Sequence, residues 1–463
     1  VTAKESGTYN DFTNINLAGL KRDGSDGSSE VTYICLEIFD ELRLLQPQGN
    51  IQVSERTPDN VLRAAARVFR NGMGYPSMFN ADMVIQEQMR VGKTLEDARE
   101  GGTSGCIETG CAGKEAYLLH GYLNVPKLLE YALSNGVDLL TGKQVSIKTG
   151  ELSEFKTFDD LYAAFEKQMA YAIETKIGVD NYLRYQYATN MAATYLSCVI
   201  RDCIQKGKDY YNGGPRYNSD YIQCCGIGTI TDSLSAIKKH VYDDGTYTLQ
   251  QVVEAMKANW EGHEEMRLTL WNKTPFFGND DDYADDLMKR VYNSLFNNID
   301  GKHSILGPTY HLNMLSTTCH NYFGQKLAAT PNGRFSGMPE SDGTSPSHGA
   351  DRNGPTAVAK ALAKMDQVKS GGTLLNQRFL PSVLAGEEGI EGVKNLIRSY
   401  FKLGGHHIQF NVVDEDTLRD AQTNPDKYRG LLVRVAGYSA YFAELNENTQ
   451  NEIIARTEYE EMN

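Results

Sequence analysis

The chain has 463 residues, of which 40% are hydrophobic and 23% charged, and its net charge is −14. That length fits one large domain or two to three smaller ones, and the composition is that of a globular chain with a sizeable core, not a disordered one. The acidic balance argues against unaided binding to nucleic acid or to anionic membranes, which calls for basic patches. No apolar run reaches the roughly 18 residues of a membrane helix. A small polar substrate or a protein partner remains.

The opening Val1-Thr-Ala-Lys-Glu5 has no basic segment followed by an apolar one, so no secretion signal is visible. The eight cysteines (35, 106, 111, 198, 203, 224, 225 and 319) are too sparse for a disulfide scaffold and show no CxxC pairs. They read as reduced cytosolic thiols, most of them small buried apolar residues.

The first fifty residues are polar and Gly-rich around Asp23-Gly-Ser-Asp-Gly-Ser-Ser29. A helix is predicted next, with Ile34, Leu36, Ile38, Phe39 and Leu42 as its apolar face. Thr57-Pro58-Asp59 opens a second helix, in which Leu62, Ala65 and Phe69 recur at helical spacing and Asn71-Gly72 ends the run. Thr94-Leu-Glu-Asp97 has capping-box spacing and starts a short helix that stops at Gly101-Gly102. Thr157-Phe-Asp-Asp160 caps a helix carrying Leu161, Phe165 and Ala172, and residues 249–260 are helical too. His407–Val413 alternates like a strand. A helix from about Thr417 ends before Asn424-Pro425, and Leu431–Ala436 is a strand running into Gly437. This alternation of helices and strands sets the class as α/β.

Three segments carry possible chemistry. In Ser104-Gly-Cys106-Ile-Glu108, an extended backbone would turn a thiol and a carboxylate toward one cavity, a hydrogen-atom donor or nucleophile beside a general acid/base. Spacing alone equally allows a buried Cys next to a surface Glu. In Arg434-Val-Ala-Gly437-Tyr-Ser439, the glycine marks a bulge or a close backbone approach. A glycine α-carbon can also hold an unpaired electron, delocalised over the flanking amides. Cys224-Cys225 reads as two core residues on a strand, although adjacent thiols could also relay a radical. His406-His407 reads as structural, and no His/Cys cluster completes a metal site.

Gly105-Cys106-Ile-Glu108 and the downstream Arg434-Val-Ala-Gly437-Tyr-Ser439 resemble the two signatures of the glycyl radical enzymes, the pyruvate formate-lyase-like family. Pro331-Asn-Gly-Arg334 and Gly372-Thr-Leu-Leu-Asn-Gln-Arg-Phe379 resemble its intervening blocks. The resemblance implies a ten-stranded α/β barrel of two antiparallel half-barrels, in which the Cys and Gly loops meet tip to tip. Residues 1–334 would belong to the barrel domain and 335–463 to the glycine radical domain. Because the family's chains are longer upstream of the Cys motif, it also implies that an N-terminal portion is missing. By the same resemblance Gly437 stores the radical, Cys106 becomes the thiyl and Glu108 moves protons. The radical would be the only cofactor, with no bound metal or nucleotide. A radical-SAM activating enzyme is the implied partner, and a cytoplasmic homodimer in an anaerobe the implied setting.

The Cys-x-Glu form is that of the family's eliminases and decarboxylases. The run Ser104–Tyr117 with Gly121-Tyr-Leu-Asn124 is most similar to the branch that dehydrates trans-4-hydroxy-L-proline. Ser6, Asp11, Phe12, Tyr122 and Thr317 match that branch's pocket positions. Another C–O or C–N lyase, an arylacetate decarboxylase, or a chain that only carries the radical are the competing readings.

Overall fold

A computed structural model describes residues 13–103 and 106–462. Its strands are β1 (Asn14–Ala18), β2 (Gln48–Val53), β3 (Ser77–Asn80), β4 (Gly102–Thr103), β5 (Thr109–Gly110), β6 (Glu115–Asn124), β7 (Tyr217–Cys225), β8 (Tyr310–Met314), β9 (Ser370–Thr373), β10 (Asn376–Phe379), β11 (His407–Val412), β12 (Leu432–Arg434), β13 (Ser439–Tyr441) and β14 (Glu458–Tyr459). One sheet runs β6-β7-β8-β9 and another β1-β2-β3-β11-β10-β14.

Residues 374 and 375 make β9 and β10 one extended run. The Leu374 amide donates to Met314 at the end of β8, and the Leu375 carbonyl accepts from Gln409 of β11. Strands β6, β7, β8, β9/β10 and β11 are thus parallel neighbours, β1, β2 and β3 form a second parallel set, and the sets meet antiparallel at β3/β11. This is the expected barrel plan of antiparallel halves, with five strands described in one half and three in the other. Long helical crossovers, among them Phe158–Asn190 and Asp282–Ile299, cover the five-stranded half and satisfy the need of parallel strands for burial on both faces.

Most local expectations hold. Thr94 and Thr157 each cap a helix by accepting from the amide three residues on, and Gly72 (φ +85°) closes the turn after helix Asp59–Val68. The helix expected from about Thr417 starts at Glu415, because Asp414 supplies the N-cap. In helix Glu30–Leu42, Leu36 and Phe39 are buried as expected, but Ile34, Ile38 and Leu42 are exposed. The helix docks through Thr32, Leu36 and Phe39, with the Phe39 ring edge-on to Tyr75 at 5.5 Å. The stripe Ile34, Ile38, Leu42 lies on its other side. Cys224 and Cys225 are core residues at the end of β7.

The end of β7 packs on a buried acid, since a Cβ added to Gly226 would lie 2.8 Å from Glu340 Oε2. Burial pushes the Glu340 carboxyl from its ordinary 4.5 up to about 8, against the pull of Arg334. The unfolded chain therefore releases this proton first, and stability falls as pH rises through that window. Urea unfolding at pH 5 and pH 8 should show this loss in the wild type, up to a few kcal/mol. Glu340→Gln should flatten it.

Candidate active site

Two hairpins enter the barrel. In the first, β4 and β5 pair Gly102 with Gly110 and Thr103 with Thr109, and the chain between them carries Cys106 and Glu108. The incoming arm is tied to the barrel by neutral amides. The Thr103 amide donates to Asn16 Oδ1 (2.9 Å), the Thr103 carbonyl and hydroxyl accept from Asn50 Nδ2 (3.5 and 3.2 Å), and Gln52 donates to the Gly101 carbonyl (3.3 Å).

In the second hairpin, β12 and β13 pair Arg434 with Ser439, and the Val435 amide donates to the Tyr438 carbonyl (2.8 Å). Gly437 occupies the third turn position with φ +87°, the place a type II turn reserves for glycine. The strand ahead of it is fixed by Arg434. Its Nε donates to Gln409 (2.8 Å), its Nη2 to Ser77 (2.6 Å) and its Nη1 to Gln48, while its amide donates to Asn411 (2.7 Å). The Arg434 side chain is fully buried, and burial lowers it to about 10.

The hairpin tips touch. A Cβ built on Gly437 would stand 2.6 Å from Cys106 Sγ, which places the sulfur no more than about 4 Å from the Gly437 α-carbon. The hydrogen that replaces the Cβ therefore points toward Cys106, whose Cα and Cβ lie about as near that position as its sulfur. Ile107, Leu315, Leu374 and Ala436 form a buried apolar cluster, and Cys106 packs against it. Ile107 seats on Gly372 (φ +141°), where an added Cβ would lie 2.9 Å from Ile107 Cβ.

Cys106 and Glu108 line one cavity of about 640 Å³ with Asn14, Asn16, Tyr117 and Tyr122 among its walls. Cys106 and Ile107 lie in a bend and Glu108 outside any strand, so the shared orientation does not come from the pleat of a strand. Glu108 is buried; one carboxylate oxygen accepts from the Ile107 amide (3.1 Å) and the other from Gln223 of β7 (3.1 Å). Burial pushes the Cys106 thiol well above its ordinary value, Glu108 raises it further, and Arg434 opposes the shift. At neutral pH Cys106 is S–H. That makes it a poor nucleophile and a poor metal ligand, but it leaves a hydrogen atom to exchange.

Tyr122 reaches the cavity through a bulge. Between Leu119 and Tyr122, β6 advances three residues while β7 advances two, from Tyr221 to Gln223. Without the extra residue, alternation would put residue 121 on the face of Tyr117 and Leu119. With it, and with Gly121 at φ +80°, Tyr122 joins that face. Its hydroxyl is 2.8 Å from Thr317 Oγ1, and Thr317 sits at φ +52°, a strained setting for a β-branched residue. Of the other expected pocket residues, Ser6, Asp11 and Phe12 lie outside the described residues. Sequence reading missed Gln223, Asn16 and Tyr117, because single amides and tyrosines on strands carry no local signature.

Among the described residues, Asp342, His348 and Glu452 bring ligand atoms within 4.8 Å of one another. Asp342 and His348 share one loop and Glu452 comes from the helix Glu447–Ala455, more than a hundred residues on, so no spacing motif announced the group. Arg456 already holds Glu452 through two bonds (2.8 and 2.9 Å).

The raised thiol has a direct readout. Iodoacetamide at pH 8 should alkylate exposed Cys198 and react with Cys106 at least about tenfold more slowly than with a model thiol, as peptide mass mapping would show. Comparable labelling of the two would mean that Cys106 is neither shielded nor held as S–H.

The chain matches the family Pyruvate formate lyase-like over residues 1–324 and the family Glycine radical over residues 340–443. It is 51% identical to trans-4-hydroxy-L-proline dehydratase of Clostridioides difficile over 99% of its own length and 58% of that protein's. It is 35% identical to (2S)-3-sulfopropanediol dehydratase of Klebsiella oxytoca over 96% of this chain and 55% of that one. The crystal structure of hydroxyproline dehydratase from Clostridioides difficile with trans-4-hydroxy-L-proline bound superposes with a TM-score of 0.97 at 50% identity, covering 99% of this chain and 58% of that one. The B12-independent glycerol dehydratase of Clostridium butyricum gives a TM-score of 0.95 at 37% identity, covering 98% of this chain and 57% of that one. The chain thus spans a little under three-fifths of the length of the relatives it matches. It belongs to the pyruvate formate lyase-like family of glycyl radical enzymes.

Proposed function

We propose that this chain carries the radical-bearing and reactive part of an enzyme that dehydrates trans-4-hydroxy-L-proline to a pyrroline-5-carboxylate. The observation that carries the reading is the contact of the Gly437 α-carbon with the Cys106 sulfur, with Glu108 on the same cavity. The kinship with a hydroxyproline dehydratase supplies the substrate. Residues 1–334 are assigned to the barrel domain and 335–463 to the glycine radical domain.

In this reading Gly437 stores the unpaired electron and takes the hydrogen atom of the Cys106 thiol. The resulting thiyl removes a hydrogen atom from the ring carbon next to nitrogen. The Glu108 carboxylate takes a proton from the ring N–H and gives it to the neighbouring hydroxyl, which leaves as water. Cys106 then gives its hydrogen atom to the carbon that lost the hydroxyl, closing the C=N bond order, and recovers another from Gly437. Glu108 thus ends each turnover as it began. Hydroxide is a poor leaving group, and an adjacent radical with a general acid lowers that barrier. The hydroxyls of Tyr122, Thr317 and Ser6 would hold the substrate carboxylate and Phe12 would pack on the ring, with Asp11 assigned to the same pocket segment. A separate radical-SAM activase introduces the radical, and a cytoplasmic homodimer is part of the same proposal.

Anaerobic protein co-expressed with the activase should show an organic radical by EPR and convert trans-4-hydroxy-L-proline to an imine that o-aminobenzaldehyde captures. Activity on glycerol or an aryl acetate, with none on hydroxyproline, would overturn the substrate. Oxygen should cut the activated backbone at Gly437, releasing a C-terminal piece of about 26 residues. Gly437→Ala should lose both signal and cut, since the methyl would collide with Cys106 and Ala at positive φ costs about 1 kcal/mol or more. Cys106→Ser should keep both and lose turnover.

A further inference from the structure

Thr103 and Thr109 are the last pair of the Cys hairpin before the segment that carries Cys106 and Glu108. The two arms are held differently. Thr103 is bound by the neutral amides of Asn16 and Asn50. Thr109 is bound by a buried acid: its hydroxyl donates to Glu87 Oε1 (2.6 Å) and accepts from Gln88 Nε2 (3.0 Å). The other Glu87 oxygen lies 3.0 Å from His406 Nε2, and His406 Nδ1 accepts from the Thr373 amide (3.5 Å). This assigns the imidazole proton to Nε2, facing the carboxylate. Glu87 is 1% exposed and His406 and Thr109 are wholly buried.

The chain of contacts closes on itself. Thr373 follows Gly372, the residue on which Ile107 is seated. Ile107, Gly372, Thr373, His406, Glu87 and Thr109 therefore form a closed circuit with the return arm of the hairpin, with Glu108 between Thr109 and Ile107. A charge-assisted O–H···O⁻ bond in a buried site is shorter and stiffer than a neutral one. Taking a carboxylate out of water is costly, and replacing buried charge by well-packed neutral groups is often stabilising. The Thr103 arm shows that a neutral amide suffices to anchor a strand here.

We propose that Glu87 and His406 are positioning residues that set the height of Cys106 against Gly437 and of Glu108 against the substrate, acting through the Thr109 hydroxyl. The proposal rests on the thiyl reading given above. It accounts for a buried acid–imidazole pair that takes no part in that reaction sequence.

The test compares the activated wild type with Thr109→Val, Thr109→Ser, Glu87→Gln and His406→Gln. Two readouts apply: turnover of hydroxyproline, and the rate at which the α-hydrogen splitting of the EPR signal collapses in D₂O. That exchange passes through the solvent-exchangeable Cys106 S–H, so it reads the cysteine–glycine geometry without substrate. Thr109→Val and Glu87→Gln should keep the radical content, slow both exchange and kcat by about 10–100-fold, and leave KM within about threefold. Thr109→Ser, which restores the hydroxyl, should recover both rates. His406→Gln leaves the hairpin's own contacts intact and should show the same pattern even if Thr109→Val fails to fold. Wild-type exchange and kcat in Glu87→Gln or His406→Gln would overturn the proposal, as would a Thr109→Ser no better than Thr109→Val. A wild type whose radical forms but does not exchange would overturn the thiyl reading, and the positioning role with it.

Discussion

Everything in the site depends on one steric vacancy, the missing side chain of residue 437. The two hairpins can meet only because the turn of the second presents a hydrogen where any other residue would present a carbon 2.6 Å from the Cys106 sulfur. The positive φ that glycine tolerates turns that hydrogen toward Cys106. The same principle recurs one layer below, where Gly372 makes room for Ile107. Two glycines thus make room for the Cys hairpin, Gly437 at Cys106 and Gly372 at Ile107, and the surrounding chain has to hold three backbone segments in close approach.

Polar side chains do that holding. Arg434 binds glutamines and serines from β2, β3, β11 and β13, so the strand entering the Gly turn is fastened to both halves of the barrel at once. The return arm of the Cys hairpin is gripped by a continuous buried series. Glu87 and Gln88 take Thr109, Lys93 reaches Gln88 and pairs with Glu115 (2.5 Å), and Glu115 accepts the Cys111 amide (2.8 Å). In a low-dielectric interior such fully bonded networks are stiff, and their loss leaves uncompensated polar groups. The reactive cysteine packs on one side against an apolar cluster and on the other lines the cavity, and radical transfer over the short path to Gly437 needs no charge separation.

The cavity wall uses a different device. A bulge in β6 shifts the alternation of that strand by one, so that a tyrosine of the wrong parity points inward. Thr317, which meets it, is held at a positive φ. Both features place hydroxyls where a regular strand and a relaxed loop would not.

Much of this was legible in the residues. The helix caps at Thr94 and Thr157 and the turn at Gly72 were readable because capping and left-handed turns are decided within a few residues. The α/β class followed from the alternation of periods, and the two signature segments around Cys106 and Gly437 were found because each is contiguous. The face of helix Glu30–Leu42 was not readable: it carries two apolar stripes, and periodicity cannot say which one a neighbour covers. Nor was the route by which Cys106 and Glu108 come to share a cavity, since residues 106 to 108 bend outside any strand. What the sequence alone determined is therefore the local chemistry: a thiol two residues from a carboxylate, and a glycine able to bear positive φ. Only the tertiary structure brought residues 106 and 437 into contact and tied the return arm of the hairpin to Glu87, His406 and Gly372. Contacts across more than three hundred residues are set by how sheets pair and pack, and no local preference of the chain encodes them.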